Sequence, residues 1–166
     1  IQAFARVHQK VPDARLDVVG EGQLRGDCVR LAKDLGVQDA VSFHGAKPAN
    51  FVADLMARSG IYVQHSVQTE DGQTEAFGIA PLEAGASGLP VVATRSGGIT
   101  ETIADGETGL LVEEHDVDGM AAAMLSLLND PERAEAMGRA GRARVEARFT
   151  HAHTAARLRE IMGLTC

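Results

Sequence analysis

Apolar residues along this chain fall into two alternating patterns. Ile1, Phe4 and Val7 recur at helical spacing and predict an amphipathic helix over residues 1–9, closed by Pro12 and Asp13. Residues 16–20 read as a short buried strand ending at a glycine. A helix is predicted over 23–35, stopping at Gly36, a residue type that ends helices. A strand at 41–43 runs into a turn at 44–48, followed by a helix at 49–58 and a strand at 61–63. Residues 65–74 are polar and read as a loop. Residues 75–88 predict a helix with a specialised entrance, and 89–93 a further strand. A turn at 96–98 leads into a short helix over 99–104, a turn at 105–109 and a strand at 110–112. Three helices follow, at 116–128, 131–148 and 150–162.

Strands alternate with helices, and the strands are short, apolar and flanked by glycine. This predicts an α/β fold, a Rossmann-like doubly wound parallel sheet covered on both faces. In such sheets ligands bind at the carboxyl ends of the strands. The loops after Phe43, Val63 and Ala93 are therefore the places to expect a site.

The chain has 166 residues and a formal net charge of −7, with 45% hydrophobic and 23% charged residues. It is long enough to bury one core without disulfides or a structural metal. The negative charge argues against nucleic acid as a partner. Arg139, Arg142, Arg144, Arg148, Arg157 and Arg159 cluster late but are interleaved with acids, as on a solvated helix face. Cys28 and Cys166 suggest neither a disulfide framework nor a zinc site, so a reducing, cytoplasmic compartment is expected. No apolar run approaches the ~20 residues of a membrane span. The chain opens Ile1-Gln2-Ala3-Phe4 without a methionine, as if inside a helix, and a longer parent protein is expected.

The stretch richest in chemistry is Glu75-Ala76-Phe77-Gly78-Ile79-Ala80-Pro81-Leu82-Glu83. Two glutamates at that spacing alone arise by chance. Their setting is more telling. Pro81 lacks an N–H and suits the first turn of a helix, so the helix should begin near 78–80. Gly78 lets a ligand approach the backbone closely. The N–H groups of Gly78, Ile79 and Ala80, with the helix dipole, would offer an anion site suited to a diphosphate. Glu83, one turn in, can accept from the two hydroxyls of a ribose. Glu75 would end a loop within reach of a sugar. On local physics alone, ordinary helix glutamates explain the stretch equally well.

The run from Glu75 through Ser87-Gly88-Leu89-Pro90-Val91-Val92-Ala93-Thr94 resembles the signature of family 4, or group 1, of the retaining GT-B glycosyltransferases. The likeness extends to Ser96-Gly97-Gly98-Ile99-Thr100-Glu101, Asp105-Gly106-Glu107-Thr108-Gly109-Leu110-Leu111-Val112, Val18-Val19-Gly20-Glu21-Gly22, Val41-Ser42-Phe43-His44-Gly45 and Arg148-Phe149-Thr150, nearly the whole chain in order. The loop at 65–74 is similar to enzymes of exopolysaccharide assembly such as colanic acid or amylovoran synthesis.

The resemblance implies that residues 1–166 are the nucleotide-sugar donor domain, the C-terminal half of a GT-B fold, of an enzyme that transfers a hexose to a saccharide or lipid-linked saccharide. Glu75 resembles the glutamate near the transferred sugar, and Glu83 the one on the ribose hydroxyls. Phe77, Gly78 and Ile79, joined by Ala80, resemble the backbone on the phosphates and sugar. The turn from His44 to Lys47, with Gly45, Ala46 and Lys47 as its donor-binding residues, resembles the loop on the base. The family's phosphate-binding Arg and Lys, and its acceptor domain, fall upstream of Ile1. This piece alone is accordingly expected to be inactive. The expected substrate is a nucleotide sugar, with no cofactor or metal, and the intact protein is expected in the cytoplasm or at the inner face of the membrane, without a span.

Rival constellations are weaker. Asp116 and Asp118 have a metal-binding spacing but stand before a helix, where aspartate caps N–H groups. His151 and His153 lack a third ligand. Gly20-Glu21-Gly22 lacks the last glycine of a dinucleotide fingerprint. Gly97 and Gly98 read as a tight turn, with a secondary role near the donor as the alternative. A nucleotide-sugar epimerase half and a non-enzymatic nucleotide-binding module of the same fold are the competing functions.

Overall fold

The computed structural model describes residues 1–163; Cys166 lies outside them, and Cys28 is a half-buried free thiol. The elements run α1 (Gln2–Lys10), β1 (Leu16–Val19), α2 (Arg25–Asp34), β2 (Val41–Gly45), α3 (Ala49–Ala57), β3 (Tyr62–Gln64), α4 (Ile79–Ala86), β4 (Val91–Thr94), α5 (Ile99–Thr102), β5 (Gly109–Val112), α6 (Val117–Leu128), α7 (Pro131–Arg148) and α8 (His151–Ile161). Two helix starts follow directly from local chemistry. Asp116 accepts from Gly119 N at 2.7 Å and starts α6, while Asp130 accepts from Arg133 N at 3.1 Å with Pro131 next to it, starting α7.

All strand pairs are parallel, but they form two hydrogen-bonded sheets, β1–β2 and β3–β4–β5. The expected α/β fold with parallel strands is present, its strands divided between two ladders. No ladder joins β1 to β3 among the described residues; apolar packing bridges the two sheets, with Ala14 touching the cores of both. One correction concerns β2, which continues through His44 and Gly45 instead of turning at 44. Val18 pairs with Phe43 and Val19 with Gly45, so His44 is the extra residue of a bulge at the carboxyl end of the strand.

β4 is the centre of the larger sheet. Val91, Val92 and Ala93 are fully buried. Val92 packs with Met120, Met124, Leu127 and Met137, whereas Val91 and Ala93 pack on the other face with Ala84, Leu89, Ile99 and Ile103. Helices on both faces explain why the strand has no polar alternation. At roughly 1.5–3 kcal/mol for each buried Val side chain, this strand anchors the larger sheet. A Cβ on Gly138 of α7 would lie 1.9 Å from Gly88 O, so a glycine there lets α7 close against the end of α4. No described helix is long and apolar enough to cross a membrane.

Candidate functional site

The carboxyl ends of β3, β4 and β5 lie side by side, with Gln64 opposite Ala93 and Thr94 opposite Val112. Three loops leave this edge and are tied together. The Thr94 hydroxyl donates to Ser66 O, and Gln68 N donates to the Glu114 carboxylate at 2.8 Å. That bond holds Glu114 below the usual carboxylate pKa.

The loop after β3 ends at the entrance of α4. Gly78 caps the helix in the left-handed region, at φ 78° and ψ 63°, a conformation costly for other residues. Its N–H donates to Glu75 Oε1 at 3.2 Å. This corrects part of the expected anion site: one of its three donors is already engaged, because the carboxylate folds back onto the helix start. The N–H groups of Ile79 and Ala80 have no acceptor among the described residues, and Pro81 has none to offer.

The loop after β4 forms the seat of this entrance. Gly98 N donates to Glu75 O at 2.8 Å. A Cβ on Gly97 would lie 2.1 Å from Glu75 O, and one on Gly98 would lie 2.2 Å from Ala76 O. The two glycines do more than turn the chain: they let it lie directly on the backbone of Glu75 and Ala76.

Glu83 stands exposed one turn into α4. Tyr62 reports on both glutamates. Burial, then the negative charges of Glu83 and Glu75, push its hydroxyl up to about 12. The two carboxylates thus act on one phenol, which lies beneath the entrance with its ring against the core formed by Ala84, Val91 and Ile99. Neither Tyr62 nor Gln64 is marked as a site residue by the apolar pattern at 61–63, and the strand runs one residue further, through Gln64. The signal was their period of two with Ser66.

Apolar side chains flank the entrance. Ile79 is 67% exposed, and Phe77, 40% exposed, meets Phe149 edge-on at 6.1 Å between ring centroids. Arg144 donates to Glu101 O at 2.8 Å and Thr102 O at 3.0 Å, capping the end of α5. It is therefore not part of a solvated face, unlike Arg139, Arg142 and Arg157, which pair with glutamates on their own helices.

Gly45 ends the smaller sheet, and Ala46 and Lys47 follow it in the loop to α3. Gly45 O accepts from Gly20 N at 2.9 Å, and Glu21 Oε1 lies 2.6 Å from where a Gly45 Cβ would stand. Ala46 and Lys47 are exposed, with Lys47 Nζ 5.3 Å from the Phe51 ring centroid. The bulged His44 meets Asp17 Oδ1 through Nε2 at 2.6 Å. The structure thus groups the glycines 20 and 45 at one cradle and Glu75, Gly78, Ile79 and Ala80 at another. No hydrogen bond joins the two cradles among the described residues.

The rival constellations take ordinary places. Asp116 caps α6, and Asp118 pairs with Arg6. His151 and His153 are exposed in the first turn of α8. No group of three His, Cys, Asp or Glu among the described residues is arranged to hold a metal.

Residues 1–144 match the family profile of glycosyl transferases group 1. A GDP-mannose-dependent alpha-(1-6)-phosphatidylinositol monomannoside mannosyltransferase of Mycolicibacterium smegmatis is 42% identical over 143 residues, covering 86% of this chain and 37% of the relative. Among solved structures, sucrose-phosphate synthase from Thermosynechococcus elongatus superposes with a TM-score of 0.82 at 27% identity, over 97% of this chain and 41% of the other. The C-terminal domain of the group 1 glycosyl transferase LpcC from Francisella tularensis gives 0.76 at 25% identity, over 90% of this chain and 79% of the other. The chain spans about two fifths of the length of the curated relatives it matches.

Proposed function

Because the chain belongs to the glycosyl transferases group 1 family, with the α/β fold and parallel sheets of GT-B enzymes, we propose that it is the donor domain of a retaining hexosyltransferase. The donor is a nucleotide sugar. The acceptor is a saccharide or lipid-linked saccharide bound by another part of the intact protein, at the inner face of the membrane. The mannosyltransferase relative makes GDP-mannose the first donor to try, and the phosphatidylinositol monomannoside in its name favours a lipid-linked acceptor.

The observation that carries this reading is the entrance of α4. Two unengaged N–H groups, of Ile79 and Ala80, stand immediately beyond the Glu75 carboxylate, with Glu83 one turn along the same helix. A retaining transfer builds positive charge on the sugar and negative charge on the leaving diphosphate. The backbone donors and the positive end of the helix stabilise the diphosphate, where preorganised donors act most strongly. Glu75 lies on the sugar side, supports its hydroxyls and opposes the developing positive charge. Glu83 accepts from the ribose diol. Gly45, Ala46 and Lys47 contact the base. Backbone donors and cations from elsewhere in the protein replace a divalent ion in this scheme.

The test is sugar transfer by the intact protein, with and without EDTA, for the original sequence and Glu75→Ala. We expect transfer to survive EDTA. Glu75→Ala should lower turnover by about 100-fold or more while nucleoside diphosphate affinity changes little, since the residue meets the sugar and not the nucleotide. Activity abolished by EDTA, or full turnover by Glu75→Ala, would refute the scheme. Conversion of the nucleotide sugar into its epimer without any acceptor would identify an epimerase instead.

A further inference from the structure

Tyr62, Gln64 and Ser66 alternate along β3 and just past its end, so they project from one face of the strand. Their polar groups are joined. The Tyr62 hydroxyl donates to Gln64 Oε1 at 2.6 Å. Gln64 Nε2 donates to Ser66 Oγ at 3.1 Å and reaches Glu75 Oε2 at 3.5 Å. The other oxygen of Glu75 accepts from Gly78 N at 3.2 Å. The carboxylate is therefore held between a side-chain amide from the sheet and the backbone donor that opens α4.

The direction of this relay is fixed by charge. Turning the Gln64 amide over would aim its carbonyl oxygen at the Glu75 carboxylate, two acceptors facing each other without a proton between them. With the amide NH2 toward Glu75, the carbonyl needs a donor behind it, and the Tyr62 hydroxyl supplies one. That hydroxyl keeps its proton at any working pH, because burial and the two glutamates push it up to about 12. An ionised carboxylate offers about four acceptor positions, and the two contacts described leave others free for a sugar hydroxyl.

We propose that Gln64, oriented by the Tyr62 hydroxyl, is a positioning residue that sets how Glu75 meets the donor sugar. The proposal rests on the reading of Glu75 given above. It follows that losing Gln64 acts through Glu75 and leaves the nucleotide untouched, because no hydrogen bond joins Gln64 to the Ile79 and Ala80 donors or to the cradle at Gly45 among the described residues.

The experiment is a double-mutant cycle in the intact protein with its nucleotide-sugar donor, comparing the original, Gln64→Leu, Glu75→Gln and the double variant. Turnover, donor KM, melting temperature and nucleoside diphosphate affinity by calorimetry are measured for each. We expect Gln64→Leu to lower kcat by about 10–100-fold, with KM and nucleotide affinity within about twofold, and to add less than about twofold once Glu75 is already Gln. Tyr62→Phe keeps the ring in the core and removes only the hydroxyl. It should lower kcat by about 3–10-fold, and it carries the test if Gln64→Leu does not fold. Full kcat in Gln64→Leu or Tyr62→Phe, losses that multiply fully in the double variant, or nucleotide affinity falling in step with turnover would each overturn the proposal. These outcomes differ from failure of the underlying reading, in which Glu75→Gln and Glu75→Ala themselves leave turnover intact.

Discussion

Gly98→Ala is the sharpest probe of how the entrance is held. Gly98 has φ −67° and ψ −7°, a backbone conformation open to any residue, so the substitution introduces no dihedral strain. Its whole effect is steric. The new methyl would stand 2.2 Å from Ala76 O, 2.7 Å from Phe77 Cα and 2.8 Å from Ala76 C, all backbone atoms that no rotamer change can move. Restoring an ordinary contact requires the 75–77 segment to shift by about 1 Å, or the Gly98 N–H to give up its bond to Glu75 O. Overpacking of this kind costs roughly 1–3 kcal/mol of stability. A displacement of about 1 Å at a reacting group can cost about 100-fold in turnover. Gly60→Ala is the matched control: nothing lies within 4 Å of its added methyl and its φ is ordinary. The assay combines urea denaturation of this chain with transfer kinetics of the intact protein. We expect Gly98→Ala to lose 1–3 kcal/mol by the same ~1–3 kcal/mol overpacking scale and about 10–100-fold in kcat, with the control near the original. Original stability and turnover in Gly98→Ala would show that the glycine loop does not bear on the Glu75 segment.

Two further outcomes are expected. Glu83→Gln should weaken nucleoside diphosphate binding by ~1–3 kcal/mol and erase discrimination against a deoxyribose analogue; calorimetry with UDP, GDP and ADP measures both and ranks the base, and undiminished discrimination would remove Glu83 from the ribose. Stability should also fall as pH rises from 10 toward 12. The Tyr62 hydroxyl, ordinarily at 10.0, is raised to about 12 in the folded chain, so in that window the unfolded chain releases a proton that the folded chain keeps. The loss amounts to about 2–3 kcal/mol by pH 12 and is absent below pH 10. Denaturation at pH 9 and pH 11 should show it for the original and not for Tyr62→Phe; equal slopes would contradict the assignment.

The sequence by itself determined what depends on neighbours a few residues apart. Pro81 and Gly78 mark the start of α4 because a missing N–H and a left-handed backbone are tolerated there and in few other places. Asp116 marks the start of α6 because its side chain reaches the N–H group three residues on. The apolar run around Val91 marks a central strand because helices cover both its faces. Only the tertiary structure decided what meets across long separations. It placed Gly97 and Gly98 on the backbone of Glu75 and Ala76, and Arg144 on the carbonyls that end α5. It engaged the Gly78 N–H with Glu75, and so removed a donor that the helix start alone would leave free. It divided the parallel strands between two ladders, with Ala14 packed against the cores of both. Turn and cap preferences act over one helical turn, and periodicity names a buried face without naming its partner. Whether two loops from different strands touch depends on the volume between them, which is set by packing and by where a methyl group is missing.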